Sequence, residues 1–114
     1  MKRALAFLIL AFTVPHAFAA EYPTKPVRII SPFPPGGSVD LVARLVGAEL
    51  SKPLGQQVVI DNRSGASGMI GTEVAAKSAP DGYTLVVNTL PFVTNQFIYS
   101  KAPYDPIGDF APIS

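Results

Sequence analysis

The sequence predicts an α/β fold, a parallel sheet with flanking helices. Short β-branched runs alternate with segments of helical spacing. Two of those runs lead into small-residue loops, Pro32–Ser38 and Asn62–Gly68. Pro80-Asp81-Gly82 then marks a turn before a third run. Strand, helix and strand in this order imply right-handed crossovers, with ligands held beyond the carboxyl ends of the strands.

Taken in order, the chain opens on a segment outside the fold. Lys2 and Arg3 precede an apolar run from Ala4 to Val14, and Ala17-Phe18-Ala19 puts small residues where a signal peptidase reads. Residues 1–19 are therefore expected to be a cleaved signal peptide. Residues 20–114 are expected to form an incomplete N-terminal α/β lobe in a bacterial-type periplasm. Beyond the leader there is no His, and the chain has no Cys. Disulfides, thiol nucleophiles, the commonest general base and the commonest neutral metal ligand are all excluded from this stretch. Without Lys2 and Arg3, acidic residues outnumber basic ones by one. That balance points away from nucleic acid as a partner.

Prolines 23 and 26 make an extended entry. Val27–Ile30 reads as a strand. From Ser38, apolar residues at 41, 42, 45, 46 and 50 make one helical face, ending near Ser51 before Pro53 and Gly55. Ser38 suits the N-cap and Asp40 the first turn. Gln57–Asp61 is a second strand, Met69–Ser78 a second helix, Tyr83–Asn88 a third strand and Val93–Tyr99 a shorter helix. Phe110–Ser114 resembles the approach to a further strand, and the whole reads as a fragment of a longer protein.

The loop SPFPPGGSVD, residues 31–40, stiffens with three prolines and then loosens with two glycines. Gly36 and Gly37 reach φ values closed to other residues and have no side chain to hold a ligand off the backbone. The amides of Gly37, Ser38 and Val39 would leave a helix N-terminus without intrahelical partners, a ready anion site. Gly65, Ala66, Ser67 and Gly68 predict the same arrangement at the second helix. Two helix starts side by side would then share one anionic ligand, with Asn62 and Thr89 adding side-chain contacts and Phe33 lining the pocket. Each feature also has a structural reading. Ser38 caps a helix equally well, Asp40 complements a dipole and would repel an anion unless turned away, and a surface Arg63 is simply solvated. Neither the Gly-Lys-Ser/Thr of a phosphate loop nor G-x-G-x-x-G follows the first strand, so no cofactor or metal is expected. Ser67 lacks the glycine two residues on that a nucleophile elbow needs, since that position is Met69.

These segments together resemble the tripartite tricarboxylate transporter substrate-binding receptors, the Bug or TctC-like family. The likeness runs from Tyr22-Pro23 through Pro32-Phe33-Pro34-Pro35-Gly36-Gly37-Ser38 with Asp40. It continues in Asp61-Asn62-Arg63, Pro80-Asp81-Gly82-Tyr83-Thr84 and Tyr104-Asp105-Pro106. The resemblance implies a monomeric two-lobed periplasmic binding protein that passes a small carboxylate to a membrane permease. It also implies that the loops Phe33–Asp40 and Asn62–Gly68 grip the carboxylate. The third loop departs from the family pattern, with Asn88-Thr89-Leu90-Pro91 and then Asn95-Gln96. An exported α/β hydrolase and a sensor-type binding protein are the competing functional classes.

Overall fold

A computed structural model of the chain describes residues 21–114. The signal peptide expected at 1–19 lies outside the described residues. Three parallel strands, β1 (Val27–Ser31), β2 (Val58–Asn62) and β3 (Thr84–Val86), form a sheet in the order β2-β1-β3. Helices α1 (Ser38–Leu54), α2 (Met69–Ala76) and α3 (Pro91–Ile98) alternate with them, and a 3-10 turn, Ala66–Gly68, leads into α2. The expected parallel α/β layering is observed. Among the described residues, no helix is long and apolar enough to cross a membrane.

The central strand fills the core, with Val27, Ile29, Ile30 and Ser31 buried. Val27, Ile29 and Ser31 register with Val58, Ile60 and Asn62, so alternation puts all six on one face of the sheet. Gly47 of α1 lies against that face: a Cβ there would stand 3.1 Å from Val58 Cγ1 and 3.2 Å from Ile60 Cδ1. Helix α1 packs through Val39, Asp40, Ala43 and Gly47. The apolar helical face read from the sequence is turned outward, with Leu41 and Leu45 each 59% exposed and Val42 and Val46 also exposed. The small residues 43 and 47 explain the choice, because they let the helix backbone come down onto β2.

Most element boundaries differ from expectation by one to three residues, and those of α1 and β3 have clear causes. Gly37, in extended backbone, is the N-cap of α1, and Ser38 is the first helical residue with no capping bond from its side chain. The helix passes through Pro53 and ends at Gly55, whose left-handed φ of 62° closes the last turn. Pro53 sits so close to the end that it removes only a terminal hydrogen bond. Strand β3 is shorter than predicted. The ladder with β1 runs Arg28 N–H to Tyr83 O at 2.8 Å and Val87 N–H to Ile30 O at 3.1 Å. The next donor in the series falls at position 32, and Pro32 has none.

Residues 110–114 form no strand. Phe110 instead packs edge-on against Phe92, at 5.1 Å between centroids, and against Tyr104, at 6.1 Å. Tyr104 donates to Phe92 O at 2.9 Å, so this cluster anchors the chain end to the start of α3.

Candidate functional site

The carboxyl edge of the sheet carries both loops. A cavity of about 390 Å³ opens at the start of α1, lined by Phe33, Pro34, Gly37, Ser38, Val39 and Thr89. Phe33, Gly37, Ser38 and Thr89 are thus brought together as expected from their positions at adjacent strand ends. No lining residue carries a charge. Among the described residues, no partner is found for the backbone amides of Gly37, Ser38 and Val39. Any attraction for an anion here comes from free amides, the Ser38 and Thr89 hydroxyls and the helix dipole rather than from a cation.

Asp40 and Asn62 belong to the wall behind this cavity. Asp40 is 3% exposed, and its side chain accepts three hydrogen bonds of 2.9 Å, from the Gly36 amide, Arg44 Nε and Asn62 Nδ2. Asn62 Nδ2 also donates to Phe33 O at 3.2 Å, and Arg44 Nη2 to Asn62 Oδ1 at 3.4 Å. The Arg44 hydrogen bond, then the Gly36 amide and Asn62, hold the Asp40 carboxyl well below the usual carboxylate range. The Gly36 amide is therefore occupied by the protein itself and is not a ligand donor. Gly36 has φ +86° with nothing within 4 Å of a Cβ position, so its conformation rather than crowding calls for glycine.

The second loop differs from its expected form. Gly65, Ala66, Ser67 and Gly68 all have positive φ, at 134°, 49°, 54° and 83°. The Gly68 amide donates to Gly65 O at 3.0 Å, and the Met69 amide to Ala66 O. The 3-10 turn thus takes up the Gly68 and Met69 amides at the start of α2. Among the described residues, no hydrogen bond is found for the amides of Ser64, Gly65, Ala66 and Ser67, so this loop also keeps open donors. The left-handed Ala66 and Ser67 each cost about 1–2 kcal/mol. They are held by Asn95 Nδ2 donating to Ser67 O at 3.1 Å and by a 3.2 Å contact between the Ser67 and Tyr99 hydroxyls. The two loops touch: a Cβ on Gly68 would stand 3.1 Å from Phe33 Cζ and 3.3 Å from Pro32 Cβ.

Asn95 is the residue whose part in the site sequence reasoning missed. It is 2% exposed on α3 and reaches both Ser67 O and, at 3.4 Å, Tyr104 Oη. The signal available was an amide on the buried side of an otherwise apolar turn. Arg63, read as solvated, is half exposed and paired with Asp61 at 2.9 Å. Ser31 Oγ is buried at the end of β1 with no hydrogen-bond partner among the described residues.

A parallel three-stranded sheet with flanking helices and an uncharged cavity at its carboxyl edge defines an α/β lobe. The model of the tripartite tricarboxylate transporter family receptor matches residues 42–114. The chain belongs to that family. It is 42% identical to the protein BugT of Bordetella pertussis over all of its own length, which is 37% of that protein. Among solved structures it is similar to the periplasmic binding protein BugD, at TM-score 0.78 and 39% identity, covering 81% of this chain and 31% of that one. It is similar as well to MatC of Rhodopseudomonas palustris with bound malate, at TM-score 0.77 and 40% identity, covering 81% and 32%. The chain spans about a third of the length of the relatives it matches.

Proposed function

We propose that this chain is the N-terminal part of a solute-binding receptor that captures a small carboxylate in the periplasm and delivers it to a tripartite tricarboxylate-type membrane permease. The carrying observation is the uncharged cavity at the start of α1, with the free amides of Gly37, Ser38 and Val39 beside the Ser38 and Thr89 side chains. Ligand-stabilising donors of this kind contribute about 1.5–3 kcal/mol each when the acceptor is charged. Three or four of them approach the −8 kcal/mol or so of a micromolar complex. The malate carried by MatC supports the carboxylate class. Export of the chain by cleavage of residues 1–19 is part of the same reading, supported by the periplasmic setting of BugD.

Ser38 and Thr89 are both exposed, so water competes for the donors in this chain. The expected outcome is weak, millimolar-range binding. Two-dimensional 1H–15N NMR of the chain, titrated with malate, citrate, adipate, inorganic phosphate and glucose, tests it. Carboxylates should move the amide resonances of Gly37, Ser38, Val39 and Thr89. Movement with phosphate or glucose and none with carboxylates refutes the ligand class, and tight binding of a dicarboxylate refutes the expectation of solvent competition.

A further inference from the structure

Asp40 raises a problem for an anion site, because a carboxylate one helical turn from a bound anion repels it. Its own hydrogen bonds show what it does instead. All three of its close partners are protein groups: Gly36 of the first loop, Arg44 one turn along α1 and Asn62 at the end of β2. Asn62 extends the tie to Phe33 O, so loop, helix and strand end are joined through two side chains. Neither side chain lines the cavity. The bond from Gly36 N–H runs forward along the chain to Asp40 and coincides with the left-handed φ of Gly36. The next three residues, Gly37 to Val39, line the cavity.

We infer that Asp40 and Asn62 are positioning residues for the carboxylate site: they clamp the first loop from behind so that the amides of Gly37, Ser38 and Val39 face the ligand. Arg44 pairs with Asp40 at 2.9 Å and cancels the charge that would otherwise oppose the ligand. This inference rests on the proposed receptor site, and it predicts an effect of opposite sign to simple electrostatics. Removing a negative charge near an anion should tighten binding. Removing a positioning group should weaken it.

The test is 1H–15N NMR of the full chain and of Asp40→Ala, Asp40→Asn and Asn62→Ala, each without ligand and titrated with malate. Retained β1 resonances at Ile29 and Ile30 establish folding. Asp40→Ala and Asn62→Ala should each weaken malate binding about tenfold, the loss of one oriented charge-assisted donor. Asp40→Asn should recover part of that loss, since its amide oxygen still accepts from Gly36. Unchanged or tighter malate binding in Asp40→Ala overturns the inference. If Asp40→Ala does not fold, the half-buried Asn62→Ala variant decides alone, with unchanged affinity overturning it. If the parent chain ignores malate, positioning is decided by the ligand-free spectra, while the receptor reading is decided by the carboxylate panel. Joint displacement of the Gly36–Val39 amides in both alanine variants supports it. Displacement confined to the neighbours of each substitution overturns it.

Discussion

The first loop leaves three helix amides open and ties its backbone down from behind with a buried carboxylate. The second loop closes its helix start with a 3-10 turn and is held from the side, by Asn95 and Tyr99 of the α3 region. Both are small-residue connections from strand to helix at one sheet edge. The difference teaches that glycine content alone does not fix which amides of a loop stay open. What matters is where the local acceptors lie, since an acceptor three residues back silences a donor as fully as a ligand would.

The largest effect that separates the loops is steric. A Cβ at Gly71 of α2 would stand 2.6 Å from Arg63 O and 2.9 Å from Pro32 Cα, both backbone atoms that cannot swing aside. Gly71→Ala should therefore destabilise by about 1–3 kcal/mol. At Gly47 of α1 the nearest atoms are side-chain methyls of Val58 and Ile60 beyond 3 Å. Those can yield, and alanine gains helix propensity, so Gly47→Ala should lie within about 1 kcal/mol of the parent. Chemical denaturation of both variants checks the pair. Equal losses would mean that α1 sits on the sheet as rigidly as α2 sits on the loop ends.

Much of this edge was legible in the sequence. The alternation of β-branched and helical segments placed the three strands and three helices, and four of the ten candidate residues line one cavity. The unread part has a common cause. Residues 41, 42, 45 and 46 announce an apolar stripe, but periodicity says nothing of how close a helix must come to a sheet. Ala43 and Gly47 decided that, through the space they leave. Asp40 and Ser38 looked like helix-start residues, and only three-dimensional proximity to Gly36 and Asn62 shows that Asp40 faces inward. The partner of the second loop, Asn95, lies 28 residues from Ser67, beyond any local pattern.

Backbone conformation supplies the next contrast, and here the two loops should respond with opposite signs. Gly36→Ala puts a Cβ on a left-handed residue with room around it, so it should cost about 1–2 kcal/mol from conformation alone. Ala66 already bears that strain at φ 49°. Ala66→Gly should relieve it, less the 0.5–1 kcal/mol or so of extra unfolded-state entropy, leaving a gain of roughly half a kcal/mol. Thermal denaturation measures both. A loss at Ala66→Gly would show that the second loop relaxes out of its left-handed turn.

The smallest effect at neutral pH becomes visible only in acid. Asp40 has a lowered carboxyl pKa because Arg44, the Gly36 amide and Asn62 all favour its charged form. A group whose folded pKa lies below its unfolded value of about 3.9 contributes stability that is fully present above about pH 4–5. That contribution falls away as pH drops through the folded value. Between pH 5 and 8, Asp40 therefore adds no slope to stability, and the first loop should keep its clamp to pH values where ordinary carboxylates are already protonated. Asp105, lowered by the backbone amides of Ile107 and Gly108, acts in the same acid window. Comparison with Asp40→Asn isolates the first loop's share. The parent chain should lose stability more steeply than this variant below about pH 4, and in the folded parent the Gly36 amide resonance should hold until Asp40 itself takes up a proton, well below that, while those of Ala66 and Ser67 stay still. Parallel acid profiles in the two proteins would detach Asp40 from the clamp and leave the first loop resting on its backbone geometry and on Asn62.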